Sequence, residues 1–311
     1  MNQEAPDKLD RPAVRRSFER AAASYDAAAD LQREVVDELL DRLAAVRVEP
    51  GTVVDLGSGT GYAARGLQRM YRRADVIGVD FAHAMARRVG GGWRPGRKPS
   101  GLCADILRLP LPDASVDVAF SSLTFQWVDD LTALFTEIRR VLRPDGVLMF
   151  STFGPDTLSE LRAAWSEVDG GVHVGTFLDM HDIGDAVLAA GLKDPVMDVD
   201  RLQRSYRDVR ELMHSIKRIG AANATVGRPR GLTGRERLER VAAAYPDRDA
   251  DGRAVATWEV AYGHAWGAQM PRVGSGTARE FHVPIESIGR AGTGSAAGGS
   301  GGEIEQDKGM R

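Results

Sequence analysis

Apolar positions follow two different periods along the chain, and each change of period marks a predicted element. Between residues 12 and 46 they recur at three- and four-residue steps, which predicts a helical segment ending at Glu49-Pro50-Gly51. From residue 50 to 152, short β-branched runs alternate with helical stretches. This alternation predicts an α/β fold, a doubly wound and mainly parallel sheet with helices on both faces. The predicted strands begin after Gly51, at Asp75, near Leu102, at Ser115 and at Val147.

The pattern becomes mostly helical after Thr152. Helices are predicted at 156–167, 182–190, 209–219 and 234–244, with strands at 196–199 and 257–265. The last strand alternates strictly, as an edge or terminal strand does. We therefore divide the chain into an N-terminal helical segment (1–46), a main domain (47–270) with a mostly helical cap at about 156–245, and a flexible tail (271–311) rich in glycine and serine.

Composition excludes several classes of protein. The net charge of −3 gives no global reason to expect nucleic-acid or membrane binding, and no apolar run approaches the ~18 residues of a membrane span. Cys103 is the single cysteine, so no intramolecular disulfide can form and a reducing compartment is favoured. We expect a cytoplasmic monomer.

His173, His181 and Asp182 lack metal-ligand spacing, so no metal site is predicted.

Residues 53–61 read Val-Val-Asp-Leu-Gly-Ser-Gly-Thr-Gly and carry the clearest chemical signal. Glycines at alternate positions suit a turn where backbone approaches a ligand closely, with the N-terminus of a helix behind it. The spacing is G-x-G-x-G, unlike the G-x-G-x-x-G of dinucleotide sites. The run resembles motif I of the S-adenosylmethionine-dependent methyltransferases; an ordinary strand-to-helix turn is the alternative. The resemblance assigns Asp55, Gly57, Ser58, Gly59 and Gly61 to cofactor binding.

Residues at the ends of the later predicted strands extend this site. Asp80 can accept hydrogen bonds from both ribose hydroxyls of an adenosyl ligand. Asp105 of the Asp105-Ile106 pair can hold the adenine amino group, as an acidic residue there does in methyltransferases. For the aspartates the alternative role is helix capping, and for the apolar candidates it is packing in the core. The further candidates for cofactor binding are Phe81, Met85, Ser121, and, from the N-terminal segment, Tyr25 and Gln32.

The methyl acceptor is expected to approach the loop after the fourth strand. Gln126 and Trp127 are amphipathic residues suited to a wall of that site, although Trp127 could instead pack against the next helix.

The second half contains four longer, distinctive strings. They are Phe153-Gly-Pro-Asp-Thr-Leu-Ser-Glu-Leu-Arg162, Phe177-Leu-Asp-Met-His-Asp-Ile-Gly-Asp185, Arg218-Ile-Gly-Ala-Ala-Asn223 and Arg230-Gly-Leu-Thr-Gly234. Together with Tyr25-Asp26 and Ala29-Asp-Leu-Gln-Arg33, they are similar to the malonyl-acyl-carrier-protein O-methyltransferases of biotin synthesis, the BioC family. The resemblance runs from about residue 12 to 267 and implies a class I methyltransferase fold with S-adenosylmethionine as cofactor. A related family, the complex I assembly factors with arginine hydroxylase activity, shares several of these strings.

The resemblance implies a carboxylate acceptor, malonyl carried by an acidic acyl carrier protein or by CoA. A carboxylate is ionised at neutral pH and needs no general base, so no catalytic residue is predicted beyond positioning groups. An arginine at the rim should select the malonate charge; the candidates are Arg162, Arg204 and Arg218. A basic cluster could meet the carrier protein or form a solvated helix face: Arg228, Arg230, Arg235, Arg237 and Arg240. A cofactor-binding chaperone without transfer activity is a third hypothesis.

Overall fold

The computed structural model describes residues 8–91, 96–229, 231 and 233–268, and these residues build one seven-stranded sheet. The predicted flexible tail and Arg230 lie outside the described residues. The strands are β1 (Thr52–Leu56), β2 (Asp75–Asp80), β3 (Ser100–Cys103), β4 (Val116–Ser122), β5 (Leu142–Phe153), β6 (Lys193–Tyr206) and β7 (Ala254–Trp266).

The strand order is β3-β2-β1-β4-β5-β7-β6. Strands β1 to β5 pair in parallel, while β7 is antiparallel to both β5 and β6. The predicted doubly wound, mainly parallel sheet is thereby confirmed. Of the two positions predicted for residues 257–265, an edge strand is wrong, because β7 lies between β5 and β6 and its side chains are buried on both faces. It is the last described strand in the chain. Strand β6 occupies the edge instead.

Helices cover both faces of the sheet, because successive strand side chains point to opposite faces and both sets are apolar. The helices are α1 (Arg11–Ala21), α2 (Asp30–Ala44), α3 (Tyr62–Met70), α4 (His83–Ala86), α5 (Leu131–Val141), α6 (Ser159–Ser166), α7 (Met180–Ala189), α8 (Val209–Arg218) and α9 (Arg235–Ala244). Val53 belongs to the core cluster that includes residues of α2, α3, α6, α8 and α9, whereas its neighbour Val54 belongs to the cluster that includes residues of α5 and α7.

Two sequence-based boundaries change. The helical segment predicted over 12–46 is interrupted: α1 ends at Ala21, a short 3₁₀ turn covers Tyr25–Ala27, and α2 follows. The strand predicted at 196–199 is longer, since β6 runs over Lys193–Tyr206 at an edge of the sheet, and the preceding helix α7 packs on the opposite face from α6, α8 and α9. Among the described residues, no helix is both long and apolar enough to cross a membrane.

Candidate active site

The turn between β1 and α3 is built from glycines in the left-handed region, where side chains are strained. The φ angles of Gly57, Gly59 and Gly61 are 74°, 52° and 86°. A Cβ at Gly57 would collide with the side chain of Thr124, whereas one at Gly59 would project into open space. The loop therefore leaves room in front of Gly59, as a turn that cradles a ligand requires.

Asp80 holds this loop from the end of β2. One carboxylate oxygen accepts the Gly59 N–H at 2.9 Å and the other accepts the Ala82 N–H at 2.8 Å. The side chain is buried, which raises the pKa of Asp80 to about 6. Each oxygen keeps lone pairs beyond these two bonds, so the carboxylate can still accept hydrogen bonds from two hydroxyl groups.

Asp55, at the end of β1, is also buried, and burial raises its pKa to about 7. Its Oδ2 atom and the Oγ atom of Ser58 are buried without a hydrogen-bond partner in the described structure. Buried polar atoms are normally paired, so two orphaned oxygens beside a glycine turn indicate a place for donors of a ligand or for ordered water.

Two cavities with about 650 and 480 Å³ of empty space meet at this turn. They share Tyr25, Gly57, Gly59 and Ser122. Most of the predicted site residues line one or both, although they come from separate parts of the chain. The larger cavity is lined by Asp80, Phe81, Met85, Asp105, Ile106 and Trp127, and the smaller by Gln32, Asp55 and Ser58.

Helix α1 closes the larger cavity from outside, which the sequence did not indicate. Phe18 lies edge-on to Trp127 and to Phe81, with ring centroids 5.4 and 6.3 Å apart. Arg11 donates to Asp105 at 2.7 Å. The helical spacing of Val14 and Phe18 was visible in the sequence, but nothing in it showed which surface that face would cover. Trp127 thus packs against α1 through Phe18.

The 3₁₀ turn after α1 is tied to the glycine loop. The Thr60 hydroxyl donates to Asp26 at 2.6 Å, which places Tyr25 at the junction of the two cavities. Burial is the main cause that raises the pKa of Tyr25 well above its usual value, and the nearby Asp80 carboxylate adds to it. Tyr25 therefore stays protonated and can donate a hydrogen bond at this junction.

Three of the predicted residues near the site have other contacts. Ser121 is fully buried and donates to the Leu56 carbonyl at 2.8 Å, so it faces the core, and its neighbour Ser122 lines the cavities instead. Gln126 donates to the Leu123 carbonyl and accepts from Thr152, so it braces a loop and lines neither cavity. Gly61 precedes α3 and likewise lines neither.

The three candidate arginines are not brought together at the cavities. Arg162 donates to the carbonyls of Pro155, Thr157 and Gly175. Arg204 on β6 forms an ion pair with Glu34 of α2, and Arg218 is exposed at the end of α8. The arginines that do line the cavities are Arg11 and Arg33.

The described arginines of the predicted basic cluster form ion pairs or hydrogen bonds with other residues of the protein. Arg228 pairs with Asp10 at 3.0 Å and Arg237 with Asp169 at 3.5 Å. The others bond within or near α9: Arg235 to Glu239 at 2.8 Å and Arg240 to the Val168 carbonyl at 3.1 Å.

His173 and His181 lie in separate local contacts. The ring of His173 stacks on Trp165 at 3.6 Å and bonds to Asp169, while His181 bonds to Asp179 at its helix N-terminus. Within the described ranges, no group of three or more His, Cys, Asp or Glu side chains could hold a metal ion.

The string that begins at Phe153 fastens β5 to β7. The Thr157 hydroxyl donates to the Glu259 carbonyl and accepts the Glu259 N–H, while Glu160 accepts from the backbone and hydroxyl of Thr257. The Glu259 carboxylate accepts the N–H of Asp156. These buried carboxylates are satisfied by fixed donors, so this string braces β7 beyond the end of β5.

The residues present fit an adenosyl ligand. Asp80 offers a buried acceptor pair for hydroxyls, Phe81, Met85 and Ile106 offer apolar walls for a flat ring, and Asp105 offers an acceptor for an amino group. Asp55 and Ser58, each with one orphaned oxygen, line the smaller cavity, where hydrogen-bond donors of the same ligand would lie.

Comparison with known proteins agrees with this chemistry. Residues 54–150 match the family described as Methyltransferase domain. The solved structure of the YcgJ protein from Bacillus subtilis is similar, with a TM-score of 0.54 and 16% identity over 76% of this chain and 99% of that one. At this identity the likeness shows the fold alone, which is the predicted class I methyltransferase fold.

Curated relatives are much closer in sequence. The malonyl-[acyl-carrier protein] O-methyltransferase of Halorhodospira halophila is 51% identical over 86% of this chain and 91% of its own length. That of Laribacter hongkongensis is 49% identical over 83% and 89%. Such identity over nearly the whole of both chains shows common descent. The chain therefore belongs to the malonyl-[acyl-carrier protein] O-methyltransferase family of class I methyltransferases.

Proposed function

We propose that the protein transfers a methyl group from S-adenosylmethionine to the free carboxylate of malonyl-acyl carrier protein. The observation that carries this proposal is 51% identity to a curated relative of that name over 91% of its length. The methyl ester removes the charge from the malonyl end, which lets fatty-acid enzymes elongate the chain toward biotin. Malonyl-CoA is the alternative carrier of the same acceptor group.

We assign the larger cavity to the adenosine part of the cofactor. Asp80 accepts from the ribose hydroxyls, Asp105 accepts from the adenine amino group, and Phe81 packs on the ring together with Met85 and Ile106. The smaller cavity takes the methionine part, with Gln32 beside its charged end. Ser122 replaces Ser121 in this assignment, because only Ser122 lines the cavities.

When bound, the cofactor supplies an electrophilic sulfonium methyl group. The chain then has to hold an acceptor oxygen in line with that methyl and keep water out. A malonyl carboxylate is already ionised, so no side chain has to remove a proton. Tyr25 remains protonated at the junction of the cavities and can donate to an acceptor oxygen, while Trp127 and Phe18 exclude water.

Neither alternative hypothesis gains support from the relatives described above, since all of those carry the carboxyl methyltransferase name. An arginine hydroxylase would modify an arginine of a partner protein, and a chaperone would act without consuming cofactor. Both remain distinguishable by experiment. A cytoplasmic location and a monomeric state are further expectations, which fractionation and light scattering would test.

The direct test incubates the purified protein with malonyl-acyl carrier protein and S-adenosylmethionine. We expect the carrier to gain the mass of one methyl group and to lose it again on treatment with a pimeloyl-ester hydrolase. The same gene should restore growth without biotin to an auxotroph that lacks its own methyltransferase. A carrier that stays unmodified while the protein binds S-adenosylmethionine normally would reject the proposal, and an Asp80→Ala variant provides the inactive control.

A further inference from the structure

We propose that the acidic carrier protein docks on a surface formed by the outer face of α1 and the adjoining ends of α8 and α4. We call this the α1 surface, defined by Arg16, Arg20, Lys217, Arg218, Arg87 and Arg88. The inference rests on the proposed function for the identity of the partner. It replaces the cluster at 228–240, whose described arginines are held by Asp10, Asp169, Glu239 and a carbonyl.

The charges on α1 are divided between its faces. Val14 and Ala21 are buried, and Phe18 on the same side packs into the larger cavity. Arg16 and Arg20 are exposed on the opposite side, and in the described structure neither has a carboxylate in ion-pair contact. The one acidic residue of the helix, Glu19, is turned aside to accept the N–H groups of His83 and Ala84. The outer face of α1 is therefore positive.

The end of α8 extends this positive face. Gly220, just beyond α8, lies against α1 so closely that a Cβ there would be 3.1 Å from the Ala21 methyl and 3.2 Å from the Ser17 carbonyl. Lys217 and Arg218 precede that contact, are exposed, and form no ion pair with a described residue. Two further cations thus stand beside α1.

The end of α4 adds charge on the other side. Arg87 and Arg88 are exposed and follow the helix that Glu19 caps, so they lie next to α1. Of the described carboxylates, none is in ion-pair contact with either arginine. Six cations that form no ion pair with a described carboxylate thus lie on or beside the helix that covers the active site. A surface whose charges share one sign attracts a partner of opposite charge and orients it before contact.

The position of this surface suits a substrate delivered on an arm. The inner face of α1 contributes Arg11 and Phe18 to the larger cavity, so the outer face stands about one helix diameter, roughly 10 Å, from it. A carrier bound there would hold its malonyl arm at the rim of the cavities. By contrast, α9 packs on the sheet face beside α6 and α8 through Val241, and its arginines line neither cavity.

The experiment reverses charge on the outer face alone, with an Arg16→Glu, Arg20→Glu double variant. A matched control, Arg72→Glu with Arg73→Glu, reverses two exposed arginines that precede β2, at the end of the sheet opposite the glycine turn. Binding of fluorescently labelled malonyl-acyl carrier protein is measured by anisotropy at several salt concentrations. Methyl transfer is measured in parallel with that carrier and with malonyl-pantetheine, a thioester that has no protein surface.

We expect the α1 double variant to weaken carrier binding about tenfold at low salt, with the difference shrinking as salt rises. Its KM for the carrier should rise without loss of kcat, and its kinetics with malonyl-pantetheine should match wild type. The control variant should resemble wild type throughout.

Three results would overturn the proposal. These are unchanged carrier binding in the α1 variant, equal weakening in the control variant, or equal loss of activity with both thioesters, which would mean a structural role for α1. Binding of a random-sequence oligonucleotide in preference to the carrier would assign the surface to nucleic acid instead. Because anisotropy needs no turnover, failure of wild type to methylate a carrier that it binds would count against the proposed function and not against the surface.

Discussion

Arg11 and Asp105 are 94 positions apart in the sequence, yet the guanidinium donates to the carboxylate at 2.7 Å. The pair joins the first residue of α1 to the loop after β3, at the edge of the larger cavity. Both side chains are about two-fifths exposed, 40% and 41%, so the pair itself contributes at most ~1 kcal/mol. Its importance is positional, since the same carboxylate is our candidate for the adenine amino group.

Substitution at each end of this pair separates the two roles of Asp105. Asp105→Ala removes both the anchor for α1 and the acceptor for adenine, so we expect the Kd for S-adenosylmethionine to rise about tenfold, as for one lost hydrogen bond to a charged group. Arg11→Ala removes only the anchor and should change the Kd less than threefold. Isothermal titration calorimetry measures both. Equal effects of the two substitutions would reduce Asp105 to an anchor.

Asp80→Asn should weaken cofactor binding more strongly, because an amide cannot accept all the hydrogen bonds that the carboxylate receives. With one or two charge-assisted bonds lost, the expected rise in Kd is roughly 10- to 100-fold. Asp75→Asn is the matched control, since Asp75 stands at the exposed opposite end of the same strand. If both variants bind the cofactor as wild type does, the ribose assignment is wrong.

The raised pKa of Asp80, about 6, predicts acid-sensitive binding. The ionised carboxylate accepts hydrogen bonds from hydroxyls, so a proton must leave before binding when the pH is below that value. Affinity should be steady above pH 7 and fall by up to tenfold for each unit below about 6. Titration of Kd from pH 5 to 8 tests this. In Asp80→Asn the corresponding part of the pH dependence should disappear.

Asp55 predicts that the free energy of unfolding also depends on pH. Here acid stabilises the protein, whereas it weakens cofactor binding at Asp80. Its pKa is raised from 3.8 to about 7, so the folded protein favours the protonated form. The free energy of unfolding without cofactor should therefore decrease as pH rises from about 4 to about 7, and then level off. We compare the free energy of unfolding of Asp55→Asn with that of wild type at pH 5 and at pH 8. Between these values the difference should shift in favour of the variant by on the order of 2 kcal/mol. Urea denaturation at the two pH values measures it; an identical difference at both would contradict the prediction.

Two glycines of the turn should respond differently to alanine. At Gly57 the new methyl would collide with Thr124, so Gly57→Ala should lower the melting temperature by several degrees, on the scale of an overpacked core. At Gly59 the methyl meets nothing, so only the left-handed backbone is strained, by about 1 kcal/mol. That methyl does, however, enter the cleft, and Gly59→Ala should lose cofactor affinity out of proportion to stability. Paired thermal melts and calorimetry distinguish the two.

The part of the site that follows from sheet topology was predictable from the sequence. The carboxyl ends of parallel strands meet at one edge of a sheet. The sequence alone therefore places Asp55, Asp80 and Asp105 together. Ser121 lies away from the cleft, because a strand residue and its neighbour point to opposite faces of the sheet. A pattern that is apolar on both faces does not reveal which of the two residues meets the cleft. Ser122 carries no separate signal in the sequence.

Contacts between side chains far apart in the chain were the other feature that the sequence did not predict. Arg162, Arg204 and Arg228 were reasonable candidates as charges, but each is engaged by a carbonyl or carboxylate distant in the chain or brought close by a turn. Sequence spacing does not record such pairings. The strings after residue 153 identified the family correctly, yet the contacts of Thr157 and Glu160 are with β7 and not with either cavity.

Helix α1 also bears on the order in which the protein can become functional. Its segment touches Asp105, Asp129 and, through Leu9 and Asp10, residues 224 to 228. This helix is synthesised before its most distant partners, which lie more than two hundred residues further along the chain. Contacts of such separation form late, since closing a long loop precedes any gain from them. Helix α1 thus seats late, and a nascent chain keeps its cleft uncovered until the segment 224–228 has been made.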